Sequence, residues 1–395
     1  ERLQPAEVVE LLLQPGEEAA RIEADMQALD QVVLAGGNVE GLPAWWLYRM
    51  RFTGDPLLEE LTLFLHGHFA TSAAKVADIQ LIFEQHQLFR RHARGKFGPL
   101  VQAISRDPAM LKYLDSATNR KTHPNENYAR EVMELFCLGP GAYSERDIQE
   151  LARALTGWEV HHKKFIYNEY EHDRGSKTIL GRTGTFGGEE GIEIVLSQPA
   201  ATRFLARKLF RFFVSDEPAP PDELIEPLAK QLRETDFDIN QTVRTILSSQ
   251  LFFSEYAIGR KVRSPVELGI GLMRALEAQG NMNNLSQKLA DLGQRVLFPP
   301  NVKGWDGGRT WINSSTLLRR ANLVREIVNL AKLEELTNRA GVESSKEIVD
   351  WALELLVAVP VPKNVREMLV ELADRKRDQP QRTADVLCAV GALPE

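Results

Sequence analysis

The chain has 395 residues, 43% of them hydrophobic and 26% charged, enough for a large buried core, and no run approaches the roughly 20 apolar residues needed to span a bilayer. A formal net charge of -7 excludes a protein whose main work is to neutralise nucleic-acid phosphates, which needs a broad basic surface. Only Cys137 and Cys388 are present; both sit among apolar neighbours, read as small core residues and carry no compartment signal.

Apolar residues recur at i, i+3, i+4 and i+7 almost throughout, the period that buries one stripe of a helix. The first clear helix starts near Asp55-Pro56, buries Leu57, Leu58, Leu61 and Phe64 or Leu65, and runs into His66-Gly67-His68, where Gly67 suggests an end or a distortion. Phe97, Leu100, Val101 and Ile104 mark the next, and Asp107 before Pro108 marks a helix start. A helix over 125–138 stops at Gly139. Another starts at Ser144, with Asp147 three residues on, and stops at Gly157. The rhythm breaks over 159–191, where Phe165, Tyr167, Tyr170, Thr178, Ile179 and Leu180 lie among glycines, as in a small hairpin or long loop. Ala201, Phe204, Leu205, Leu209, Phe212 and Phe213 give a further helix. It carries Arg203, Arg207 and Arg211 along one side, a solvated face or, alternatively, the seat of an anionic ligand. Ser264-Pro265-Val266-Glu267 is a capping box. Residues 298–314, with Pro299-Pro300, Trp305 and Trp311, cannot be helix throughout. The expected fold is mostly α: a multi-helix array with one small β-hairpin or long-loop insertion at 159–191. The main domain is drawn at 1–333 and a C-terminal helical lobe at 334–395, where charge density rises. Both chain ends read as trimmed, so any export signal is lost.

All eight histidines lie between His66 and His172, which directs the search for a site to the first half. His66 and His68 point apart on a regular helix unless Gly67 turns them. Asn127, Arg130, Glu131 and Glu134 are spaced i, i+3, i+4 and i+7 and form one polar stripe, with Arg130 and Glu134 able to pair. His172-Asp173 and Lys177 lie in the glycine-rich insertion; Asn301, Lys303, Trp305, Trp311 and Asn313 lie in the second irregular stretch. Long loops on a helical scaffold are where binding residues tend to sit. His172 and Asp173 read equally as a turn-forming pair. No phosphate loop, Gly-x-Ser-x-Gly elbow, His-Glu-x-x-His or Cys-x-x-Cys occurs, so nucleotide hydrolysis, serine hydrolysis, zincin-type proteolysis and zinc-finger structure lose support, and no nucleotide cofactor is expected.

Five blocks taken together resemble the bacterial family called domain of unknown function eighteen-hundred. They are His66-Gly67-His68-Phe69-Ala70-Thr71-Ser72; Asn125 through Phe136; Ala154-Leu155-Thr156-Gly157-Trp158; His172-Asp173; and Pro299-Pro300-Asn301-Val302-Lys303-Gly304-Trp305. The order of the blocks is kept. Leu65 departs from the Trp that the family often places there, and His66 is less typical than His68. The resemblance implies a mostly helical bacterial protein, periplasmic or secreted, often encoded beside a sulfatase-like partner; it implies no reaction.

Two readings follow. The leading one is an enzyme dependent on one divalent metal ion and acting on an extracellular or envelope polymer or its modification. In it His66, His68, Glu131 and Glu134 are ligands, His172, Asp173 and Arg130 are catalytic groups, and Asn127, Asn301, Lys303 and Trp305 bind substrate. The alternative is a non-catalytic binding or scaffold protein for the sulfatase-like partner or a glycan, with Trp305 and Trp311 as contacts.

Overall fold

The computed structural model describes residues 4–357, 359–375 and 378–393. Among them the chain forms twenty-one α-helices, from Pro5–Leu13 to Gln379–Gly391, and two small antiparallel two-stranded sheets. The expected mostly α array is therefore the fold. Its start signals act as their chemistry demands. Asp107 caps Met110 N–H at 2.8 Å. Ser144 with Asp147, and Ser264 with Glu267, close reciprocal capping boxes that satisfy the free amides of a first turn. Asn313 accepts from Ser315 and Thr316 N–H at 3.0 Å each, which makes it the cap of helix Ser314–Asn329.

The insertion is a pair of hairpins, Trp158–His161 with Lys164–Tyr167 and Lys177–Ile179 with Arg182–Gly184. It is shorter than expected, because residues 188–191 open helix Gly188–Leu196. Glycine serves close packing there: a Cβ on Gly188 would lie 2.3 Å from the Trp158 indole. The helix expected over 125–138 is present but changes pitch, α-helical over Glu126–Glu131 and π-helical over Val132–Cys137.

One apolar cluster runs through the molecule, from Val9 to Val390. Its centre is aromatic: Phe69 stacks between Phe89 and Phe97, with centroids at 6.1 and 5.9 Å, and meets Phe136 at 5.1 Å. The four helices after residue 332 pack against one another and on Ser314–Asn329 and Pro265–Ala275, adding Leu336, Ile348, Ala352 and Val386 to that cluster. The basic stretch 90–96 is spent internally. Arg90 bonds Glu59 and Glu23, Arg94 clamps Asp55 at 2.7 Å, and Lys96 meets Asp236 at 2.9 Å. Arg90 belongs to a buried network in which Arg49 bonds Glu23 and Asp30, Trp45 Nε1 donates to Asp30 at 2.8 Å, and Trp46 Nε1 donates to Glu59 at 2.9 Å. No helix among the described residues is long and apolar enough to cross a membrane.

Candidate ligand cavity

Three distant segments build a cavity of about 400 Å³. Helix Pro56–His68 contributes Phe64, Gly67 and His68; helix Pro199–Phe213 contributes Lys208, Arg211 and Phe212; and the irregular stretch contributes Lys303, Trp305, Asp306 and Trp311. Asp216, Glu217, Lys261 and Glu267 complete its charged lining. The irregular stretch is held by Gly304, whose φ is +81° and whose missing Cβ would stand 2.5 Å from the Gly67 carbonyl oxygen. That approach sets the Trp305 ring 5.5 Å from the His66 ring. Nearby, Leu297 N–H donates to His66 Nε2 at 2.9 Å.

His66 and His68, two residues apart on one helix, diverge. His66 packs edge-on against Trp46 and under Trp305, its Nε2 occupied by Leu297. His68 donates Nε2–H to the Phe136 carbonyl at 2.9 Å, in the last turn of the π-helical segment, where carbonyls lack an intrahelical partner. This bond makes Nδ1 the acceptor nitrogen of His68, and that atom is buried without a partner. Burial, with Lys208 adding to it, pulls His68 down to about 3, against the Phe136 bond; burial alone takes His66 to about 3. Both rings are neutral at any physiological pH.

The cations of the cavity fall into two kinds. Lys261 is bonded to Glu267, and Lys303 to Asp306 at 2.7 Å. Lys208 and Arg211 have no carboxylate within salt-bridge distance among the described residues; Lys208 lies over the Phe204 ring at 5.3 Å. Burial, then Arg211 and Lys303, pull the Lys208 ammonium down to about 8. On the same helix Arg203 bonds Glu226 at 2.8 Å and Arg207 bonds Asp222. The arginine stripe is thus a neutralised face for two of its members and a cavity wall for the third. Asp216 is raised from its ordinary value by burial, opposed by Lys261 and Arg211, and its Oδ2 is a second buried acceptor without a partner.

Of the residues picked from the sequence, His68, Arg211, Lys303, Trp305 and Trp311 line this cavity and His66 braces it. Asn301 is an exposed turn residue that accepts from Lys303 N–H at 2.9 Å. Asn127 is exposed. Arg130 pairs with Glu145 at 2.7 Å and Glu126 at 3.4 Å rather than with Glu134, which instead accepts from Tyr143 at 2.9 Å. Glu131 is half-buried, and burial with Glu134 nearby raises its carboxyl. His172 and Asp173 fasten the insertion to the preceding helix. His172 Nδ1–H donates to the Thr156 carbonyl at 2.9 Å, Asp173 N–H donates to Thr156 Oγ1 at 2.7 Å, and Asp173 holds Arg153 at 2.7 Å. Lys177 is buried and donates to the Asp173 and Gly175 carbonyls.

The four expected ligands do not come together: among the described residues no group of three or more His, Cys, Asp or Glu side chains is placed to hold a metal ion. The imidazoles diverge along the helix, and Glu134 accepts from Tyr143. Lys208 and Asp216 escaped the sequence reading because each sits beside another charged residue, Arg207 and Glu217, and looks like part of an ordinary solvated surface; the signal that pointed their way was the arginine stripe beside Lys208.

The described residues thus form a helical body that encloses a cavity lined by charged side chains of both signs and by aromatic rings. The chain belongs to the DUF1800 family: the model described as "Protein of unknown function (DUF1800)" matches residues 1–395, its whole length. Comparison with curated proteins and with solved structures finds no match.

Proposed function

We propose that this chain is a binding protein for an acidic sugar or a short acidic glycan, held in the cavity between His68, Lys208, Arg211 and Trp305. The observation that carries the reading is that Lys208 and Arg211 line an aromatic cavity with no carboxylate within salt-bridge distance among the described residues. Lys208 and Arg211 are placed to take a carboxylate, sulfate or phosphate group, for which the guanidinium fork is suited. The aromatic side chains of Trp305 and Trp311 beside these cations suit a sugar ring. A sugar bearing one negative group matches both features.

Calorimetric titration with methyl glucuronide and methyl glucoside tests the proposal. The acidic sugar is expected to bind and the neutral one to bind at least about tenfold more weakly, with Arg211→Met removing the difference, since a hydrogen bond to a charged group contributes about 1.5–3 kcal/mol. Equal affinity for the two sugars, or an Arg211→Met variant that still discriminates between them, would refute it.

A further inference from the structure

The acidic-sugar cavity is bounded on one side by Lys261 and Glu267. Both side chains also line a second cavity, of about 650 Å³, so this ion pair is a shared wall between the two spaces. The second space differs in chemistry. Phe213, Phe252, Phe253, Ile258, Leu355 and Leu356 face it, and Phe253 is 44% exposed although it is a large apolar side chain. The aromatic surface is continuous across the wall. Phe212 lines the first cavity, Phe213 the second, their ring centroids are 5.0 Å apart, and Lys261 Nζ lies over the Phe212 ring at 4.6 Å.

Resting on the acidic-sugar reading, we infer that the ligand is an amphiphile: an acidic sugar in the first cavity carrying a hydrocarbon chain that passes Lys261 and Glu267 into the second. The charges are distributed unevenly between the two spaces. Lys208 and Arg211, two cations without a salt-bridge partner among the described residues, stand on the headgroup side. Of the ionisable groups facing the second cavity, Lys261 and Glu267 neutralise each other, and burial, with Glu267 nearby, pushes the Glu60 carboxyl up to about 7, so that it is only partly ionised at neutrality. Arg263, the one cation there without a salt-bridge partner among the described residues, gives a donor to the Leu356 carbonyl at 3.2 Å. A chain in this space meets mainly aromatic and aliphatic side chains, and the cavity lies within the size range of ligand pockets. The exposed ring of Phe253 gains cover when the chain is bound.

The test is a titration of the whole protein with alkyl glucuronides whose chains run from methyl to dodecyl, each held below its critical micelle concentration. Burial of each methylene is expected to raise affinity by up to about fourfold, so octyl glucuronide should bind at least about a hundredfold more tightly than methyl glucuronide. Ile258→Trp, which fills the second cavity, should flatten this dependence while leaving methyl glucuronide affinity unchanged. A flat series on the wild-type protein, with methyl glucuronide still bound, overturns the amphiphile inference and leaves the acidic-sugar reading intact. Failure of every glucuronide to bind, or octyl glucoside binding as tightly as octyl glucuronide, overturns both. The wild-type series decides the matter alone if Ile258→Trp fails to fold.

Discussion

Replacing Arg90 with Met should destabilise the protein by about 3–5 kcal/mol, the cost of leaving a buried carboxylate without its cation. The loss falls unequally on its two partners. Glu23, whose side chain is 43% exposed, keeps Arg49 and loses a surface-type interaction of at most about 1 kcal/mol. Glu59, whose side chain is 5% exposed, keeps among the described residues the Trp46 indole N–H as its hydrogen bond and Arg274 as a more distant charge, so most of the penalty is its poorly compensated charge. The double variant Arg90→Met/Glu59→Gln removes that charge while the amide oxygen still accepts from Trp46, and should recover all but about 1–2 kcal/mol. Equilibrium urea unfolding followed by tryptophan fluorescence measures both, because Trp45 and Trp46 bond directly into the network. A single variant that loses less than about 1 kcal/mol, or a double variant no more stable than the single, would show that the cost does not arise from Glu59.

Ligand binding should weaken as pH rises through about 8, where the buried Lys208 ammonium gives up its proton, and Lys208→Met should lose that dependence; titrations at pH 7 and 9.5 make the comparison. Folding stability should fall only gradually between pH 7 and about 4 and more steeply below. The neutral forms of His66 and His68 are favoured by burial in the folded state, a contribution present above the ordinary 6.5 and lost as pH falls toward about 3, and burial acts on His86 in the same direction. Asp107 and Glu60, both pushed up to about 7 primarily by burial, contribute in the opposite sense, gaining as pH falls from 7 to about 4 and no further. Urea midpoints across pH 3–7 check this, and a steep loss already complete at pH 5 would refute it. Gly304→Ala should lower the melting temperature and abolish acidic-sugar binding, because its Cβ meets the Gly67 carbonyl oxygen at 2.5 Å in a left-handed conformation; unaltered binding would show that the 301–311 stretch does not set the cavity.

Much of the scaffold was legible because local chemistry and burial agree. Leu57, Leu61 and Phe64 follow the helical period and are buried, and Ser144 with Asp147 both announces a helix and caps it. Glycine misled where its use was steric: residues 187–191 resemble a loop but open a helix that must pass close to Trp158. Two of the five sequence blocks, 66–72 and 299–305, meet at Gly67 and Gly304, and the block 125–136 reaches His68 through one carbonyl. The block 154–158 and the pair His172-Asp173 meet elsewhere, as hairpin fastenings. Spacing placed Asn127, Arg130, Glu131 and Glu134 on one stripe but could not supply the partners Glu145 and Tyr143, which come from the segment that follows. Lys208 and Asp216 acquire their character only when residues almost a hundred positions further on fold over them.

The contact of Gly304 with Gly67 ties the cavity to chain regions separated by most of the main body, which makes the cavity a late product of folding. Loop closure of that length brings its reward only after the intervening helices have docked, so the ligand has no partial site to recognise on a nascent or locally open chain. A ligand that binds only the finished cavity stabilises the whole fold by mass action, and occupancy and global stability then rise together. Under the proposed binding, a core substitution far from Lys208 weakens apparent affinity whenever it brings the unfolded population within reach of the assay.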